Sequence, residues 1–331
     1  MHKQKFGSTS LNTTKMGLGL AAIGRPGYIN VGHGDDFRRK DVESVKKQAF
    51  SVLDTAWDNG IRYFDAARSY GLAESFLFSW LEERHISPDD VVVGSKWGYV
   101  YTADWAIDVD VHEVKDHSTD VLVRQWAESQ RNLGRFLNIY QIHSATEESG
   151  VLQNDDVLDQ LWELKRNGIV IGLTVSGPHQ ADTIYQALEV QRDGVRLFES
   201  VQATWNILER STTAALQTAY EAGWGVIVKE ALANGRLTTR GIRKRGKAKH
   251  FRPLSAVAER LDTSIDALAL QAVMAQPWAD VVLSGASKAR HLRSNLYAFD
   301  VDWQDDILDE LEALVESPED YWQTRSRLKW T

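Results

Sequence analysis

The chain of 331 residues contains no cysteine. That excludes disulfides, thiolate metal ligands and thiol nucleophiles. No stretch approaches the ~20 apolar residues of a membrane span. The opening MHKQKFGSTS has no apolar centre like that of a secretory signal. Cations are in deficit: 38 Lys and Arg face 46 Asp and Glu, a formal charge of −8. This balance argues against nucleic acid or an anionic membrane as the main partner. A cytoplasmic location is therefore the expectation. What is present is globular in composition, 43% hydrophobic and 25% charged. Twelve tryptophans suggest aromatic-lined surfaces or pockets. The length would allow two domains of about 150 residues, but a single barrel of alternating strands and helices also reaches it. No linker or low-complexity segment interrupts the chain, so residues 1–331 are read as one domain.

A dinucleotide-binding turn of the Rossmann kind is also missing. Gly17-Leu18-Gly19-Leu20-Ala21-Ala22 fits Gly-x-Gly-x-x-Gly/Ala on paper, but that pattern needs a helix to start at the glycines. Gly24, Pro26, Gly27, Gly32 and Gly34 follow and forbid one. Residues 25–40 are read as a loop.

Elsewhere the pattern alternates. Strands are expected at Met16–Gly19, Ile61–Asp65, Val91–Ser95, Asn138–Ile142, Ile169–Val175, Leu197–Gln202, Trp224–Val228 and Val281–Leu283. Helical patterns lie between them: from Asp41 to Asn59-Gly60, then Glu74–Glu83, Thr119–Leu133, Asp156–Arg166, Ala181–Leu188, Thr212–Glu221 and Leu254–Gln276. Ala289–Tyr297 and Asp305–Val315 follow the last strand. Strands separated by single helices pair in parallel through right-handed crossovers. Eight such units predict a (β/α)8 TIM barrel, with a short N-terminal β-hairpin and an extra C-terminal helix.

The active site of such a barrel lies at the C-terminal ends of its strands. Asp65, Lys96 and His143 each end a different expected strand, and Tyr70 lies in the loop after the first of these. The ordinary alternatives are a capping Asp, a packed Tyr and a satisfied buried His. The set nevertheless makes coherent chemistry. A tyrosine with pKa about 10 is a poor proton donor or acceptor at neutral pH. A nearby ammonium favours phenolate and brings that pKa closer to the working range. A carboxylate holds the ammonium, and a neutral imidazole orients a carbonyl oxygen. Acid–base help of this kind contributes about 10²–10⁴-fold. With no nucleophile or metal in the set, carbonyl reduction by hydride from a nicotinamide cofactor is the reaction that suits it.

The pieces FDAARSYGLAE, the Ser95-Lys96 strand end, YQIHS, LTVSG, SVQATWN and GASKARHLRSN together resemble the aldo-keto reductase superfamily, in the family's order and over most of the chain. The last piece resembles the potassium-channel beta-subunit branch. The resemblance implies an NADP-preferring (β/α)8 barrel with a catalytic tetrad at Asp65, Tyr70, Lys96 and His143. It implies cofactor contacts at Gly19, Leu20, Ser176, Gln202, Lys229, Glu230, Leu232, Asn234, Gly235, Arg236, Ser287, Lys288, His291, Ser294 and Asn295. Four positions depart from the family pattern. Asp-Thr-Ala is Asp65-Ala66-Ala67, and Ser-Asn is Ser176-Gly177. The aromatic that stacks on nicotinamide aligns with Lys229, and a frequent Glu before the last Asn is Ser294. The expected activity is NADP(H)-linked reduction of a small aldehyde or ketone, reversible as alcohol oxidation. The alternatives are a cofactor-binding regulatory or partner subunit with slow turnover and an NAD-linked sugar or alcohol dehydrogenase. The expected partner is a small carbonyl or alcohol, and a homo-oligomer is compatible with the sequence.

Three further stretches stand out. Asp108, Asp110, His112, Glu113, Asp116 and His117 form an acidic, histidine-rich loop whose spacing matches no standard metal site. It is read as a solvated loop near the mouth, with no metal assigned. Trp97, Tyr99, Tyr101 and Trp105 would line the substrate pocket or pack in the core. Arg236, Arg240, Arg243, Lys244, Arg245, Lys247, Lys249 and Arg252 form either a solvated loop or a basic flap over a pyrophosphate. Tyr321, Trp322 and Trp330 would fold back over the mouth or cover an edge of the barrel. A 2′-phosphate needs cations, and Lys288, Arg290, His291 and Arg293 follow the last strand to supply them.

Overall fold

A computed structural model describes residues 1–244 and 246–331; Arg245 of the basic run lies outside the described residues. Eight parallel strands close into a barrel: β1 (Met16–Gly19), β2 (Tyr63–Asp65), β3 (Val92–Trp97), β4 (Leu137–Ala145), β5 (Val170–Val175), β6 (Ser200–Thr204), β7 (Gly225–Lys229) and β8 (Val281–Ser284). Each strand pairs with its neighbours in the sequence, and β8 closes on β1 through Val282↔Met16 and Ser284↔Leu18. The expected (β/α)8 barrel is therefore the observed fold.

Period-two alternation sorts the strand residues. Tyr63, Val92, Ile139, Val170, Ile227, Val281 and Leu283 form one inner cluster with Phe6. Phe64, Val93, Tyr140, Ile171, Val201 and Val226 belong to the larger core beneath the helices. Phe6 reaches the inner cluster from the turn of the N-terminal ribbon, Lys3–Lys5 paired with Asn12–Thr14. Gly225 makes room for it: a Cβ there would stand 2.3 Å from the Phe6 ring. The predicted hairpin thus plugs the floor of the barrel.

Several helices open on side-chain caps. Asp41 accepts a hydrogen bond from the Ser44 amide (3.0 Å) and opens the helix Val42–Asp58. Ser118 caps Thr119–Leu133, and Asn154 caps Asp155–Arg166. Several expectations need correction. Leu254–Gln276 is two helices, Arg252–Arg260 and Ile265–Met274, because Asp262 turns to positive φ (48°) and Ser264 caps a new start. Asp305–Val315 holds only the short turns Ile307–Glu310 and Glu312–Leu314. A longer helix, Pro318–Ser326, follows them. Leu197 and Phe198 precede β6, which starts at Ser200. An unforeseen ribbon, Tyr99–Tyr101 with Glu113–Lys115, rises from the end of β3. No helix among the described residues is long and apolar enough to cross a membrane.

Candidate active site

The register of β2, β3 and β4 brings Asp65, Lys96 and His143 to one end of the barrel. Asp65 lies level with Gly94, two residues before Lys96, and Lys96 lies level with Gln141, two residues before His143. Lys96 is completely buried. Its ammonium donates to the Asp65 carboxylate and to the Ala66 carbonyl (2.8 Å). Burial pulls the Lys96 pKa down, and Asp65 opposes that pull. The other Asp65 oxygen accepts from the Gln202 amide (2.9 Å) and the Tyr63 hydroxyl (3.3 Å). Gln202, expected as a cofactor contact, thus also holds the carboxylate.

Tyr70 lies over this pair, with Lys96 Nζ 4.8 Å from its ring centre. The Tyr70 loop is held from below by Glu74, which is 1% exposed. Arg68 donates to Glu74 (2.7 Å), as do Ser95 (2.6 Å), Ser129 (2.7 Å) and Asn132 (2.9 Å). The phenol is not activated in the way the chemistry of the set predicts. Its pKa stands well above 10, raised first by burial and then by Asp65. The ammonium of Lys96 is committed to Asp65 and lies over the ring face, so the phenol keeps its proton. His143 packs edge-on against Tyr70 (5.5 Å) and Tyr99 (4.9 Å). Burial, with Lys96 next, holds its pKa well below 6.5, so the imidazole is neutral.

These groups open into a cavity of about 680 Å³. Its wall includes Asp65, Tyr70 and His143, with Lys96 buried behind it. Of the expected cofactor contacts, Gly19, Ser176, Gln202, Lys229, Glu230, Leu232, Asn234, Gly235, Ser287, His291, Ser294 and Asn295 line the wall. Leu20, Arg236 and Lys288 do not. Leu20 is fully buried, and its amide is spent on the Asp65 carbonyl (2.9 Å). Arg236 turns to Glu316, and Lys288 to Asp36 (3.5 Å).

Lys229 donates to Thr204 (2.9 Å) and Ser176 (3.4 Å) and sits over Trp322 at 5.6 Å. Burial brings its pKa down to about 8, against the pull of Glu230. Glu230 forms its direct ion pair with Arg325 (2.6 Å), which ties the helix Pro318–Ser326 to the end of β7. Ser294 and Asn295 both donate to Asp266 (2.7 and 3.0 Å).

Of the aromatics after Lys96, Tyr99 reaches the cavity. Trp97 is buried against His117 (5.6 Å), Trp105 packs on Phe76 (6.2 Å), and Tyr101 accepts from the Trp105 amide. The acidic, histidine-rich loop is divided among other contacts. His112 stacks on Trp330 (4.2 Å), His117 lies 2.9 Å from the His143 carbonyl, and Glu113 pairs with Arg25 (2.8 Å). Among the described residues no group of three or more His, Asp or Glu is placed to hold a metal ion. The basic run is a partial helix, Thr239–Lys244, and Arg240 and Lys244 are paired with Asp35 and Asp36. Arg240, offered as part of a basic flap, and Trp330, offered as folding back over the mouth, line the wall; Arg25, Tyr28, Asp36, Glu113 and Arg325 also line it and were not among the expected contacts. Three of them lie in 25–40, where no periodicity marks a side chain's direction.

The donor set fits a dinucleotide. The cavity wall takes in Tyr70, Ser176, Gln202, Gly285 and Ser287. A Cβ on Gly285 would meet nothing within 4 Å. The helix Ala289–Leu296 starts there at Lys288 with no side-chain cap, leaving amide donors of the kind that take phosphate.

Comparison with known proteins agrees with the fold. The model of the "Aldo/keto reductase family" matches residues 15–316. The chain is 23% identical over 318 residues to the uncharacterized oxidoreductase YqkF of Bacillus subtilis, covering 90% of this chain and 91% of that one. It is 24% identical to a D-threo-aldose 1-dehydrogenase of a Pseudomonas species, covering 87% and 92%. Among solved structures, the aldo-keto reductase AKR11C1 from Bacillus halodurans superposes with a TM-score of 0.71 at 21% identity, over 96% of this chain and 97% of that one. With the barrel and a family match over nearly the whole length in agreement, the chain belongs to the aldo/keto reductase family of oxidoreductases.

Proposed function

We propose that this chain reduces small aldehydes or ketones to alcohols, reversibly, with NADP(H). The observation that carries the reading is the buried Asp65–Lys96 pair beneath Tyr70, with neutral His143 against the same ring. In this reading His143 donates a hydrogen bond to the carbonyl oxygen and sets its direction. Tyr70 holds a proton at its hydroxyl through the neutral range and gives it to that oxygen as charge develops. The Lys96 ammonium under the ring is the charge that offsets the phenolate left behind, against the opposing charge of Asp65. In the reverse direction the phenolate takes the proton of the alcohol. A nicotinamide dinucleotide, when bound, supplies or accepts the hydride. Ser176, Gln202 and Lys229 would hold its nicotinamide end, and Ser287, His291 and the start of Ala289–Leu296 its phosphate end. The preference for NADP(H) is supported by the donors gathered there: the cations Arg240 and Lys288, and the imidazole of His291, lie around Asp36 of the cavity wall.

A panel of carbonyls and alcohols, run with NADPH and NADP⁺ and then with NADH and NAD⁺, tests the proposal. NADPH-dependent loss of an aldehyde is the expected result. Tight dinucleotide binding with no turnover on any carbonyl would instead support a regulatory subunit.

A further inference from the structure

The cationic end of the cavity is not open. A carboxylate from another segment of the chain sits inside it. Asp36, 6% exposed, follows the short turn His33–Asp35 in the loop after β1. One of its oxygens accepts from the Ser287 hydroxyl (2.6 Å) and lies 3.9 Å from His291 Nδ1. The other accepts from Arg240 (2.8 Å) and lies 3.5 Å from Lys288 Nζ. Asp35 beside it pairs with Arg240 (2.8 Å) and Lys244, and its carbonyl accepts from Lys288 (3.3 Å). Arginine, lysine, imidazole and hydroxyl at the start of an uncapped helix are the donors that a phosphate monoester takes. Here they surround a side chain with one negative charge and two oxygens.

Resting on the dinucleotide reading above, we propose that Asp36 is a resident anion in the 2′-phosphate cradle, and that it sets this chain's choice between phosphorylated and unphosphorylated dinucleotides. A 2′-phosphate brought to Arg240, Lys288 and Ser287 meets a carboxylate at contact distance and has to displace it. A ribose without the phosphate brings hydroxyl donors that a carboxylate accepts. Asp36 therefore opposes NADP(H) and tolerates NAD(H). The carboxylate can leave without disturbing the barrel, because it is carried on the loop 20–41 and not on a strand. The cradle cations make NADP(H) binding possible, and Asp36 subtracts from the preference they create.

The test is titration of purified wild type, Asp36→Asn and Asp36→Ser with NADPH and NADH, followed by tryptophan fluorescence and calorimetry. Removal of the charge is expected to tighten NADPH by about tenfold or more, with NADH unchanged or slightly weakened. Lys288→Gln added to Asp36→Asn is expected to reverse most of that gain. The serine variant guards against a local packing effect of asparagine, and circular dichroism confirms that both variants fold. If both fold and bind dinucleotide with the NADPH-to-NADH affinity ratio within twofold of wild type, Asp36 is not in the cradle and the inference is overturned. If wild type and variants bind neither dinucleotide, the cofactor reading itself fails, and the inference falls with it.

Discussion

Replacing Tyr70 with phenylalanine removes one oxygen from the cavity wall and leaves the ring on Lys96 and His143. Turnover should then fall by at least ~10², while dinucleotide affinity stays near that of the wild type. Near-normal steady-state rates in Tyr70→Phe would remove the proton donor from the scheme. Lys229 gives a second prediction, with a definite sign. Its pKa of about 8 means that it is largely protonated at pH 6.5 and largely neutral at pH 9.5. An ammonium by the nicotinamide disfavours the oxidised, positively charged ring. The affinity of NADP⁺ relative to NADPH should therefore rise as pH climbs through 8, and Lys229→Met should abolish that rise. Fluorescence titration of both redox forms at the two pH values reads it, and a ratio independent of pH in the wild type would refute it. At this scale the sequence was most legible where strands end. Asp65, Lys96 and His143 are marked because each closes an apolar run, which indicates both the side of the barrel and the end. Arg25, Asp36 and Arg240 carry no such mark. Asp36 and Arg240 meet only after folding, 204 positions apart, and short-range pattern does not encode that meeting.

The Tyr70 loop owes its position to one buried carboxylate that joins four elements. Glu74, on the helix Ala73–Glu83, is bonded by Arg68 of the loop, Ser95 of β3, and Ser129 and Asn132 of the helix Thr119–Leu133. Glu74→Ala would leave Arg68 without that partner and two hydroxyls unsatisfied, at a cost of about 3 kcal/mol. Melting should fall by about 4 °C for a chain of this size, and reductase turnover should fall with it as the loop loosens. Thermal unfolding followed by circular dichroism, beside a rate assay well below melting, checks both. An unchanged midpoint would show that Glu74 carries no structural weight. Helix existence was easy to read at this scale, because periodic apolar runs such as Val45, Ala49, Val52 and Leu53 mark the buried faces. Helix interruption was not. The stop at Asp262 is a positive-φ residue other than glycine, so the expected helix ran on through it to Gln276.

The molecule divides its labour between two ends. The floor is sealed by Phe6 and the inner apolar cluster, and the polar residues gather at the opposite end. Phe6→Ala should cost about 3–5 kcal/mol from burial and cavity terms. Melting should fall by about 5 °C, with dinucleotide affinity within twofold of the wild type. Loss of binding along with stability would mean that the two ends are coupled. The closed ring has another consequence, for behaviour in crowded solution. A barrel has no border strand, so the main-chain groups of its sheet are paired all the way round. Outside it, the ribbons among the described residues are two or three residues long, and the outermost reads Lys3-Gln4-Lys5. Among the described residues another polypeptide finds no long row of free amides and carbonyls on which to lay a strand, so the folded chain is a poor seed for fibrils.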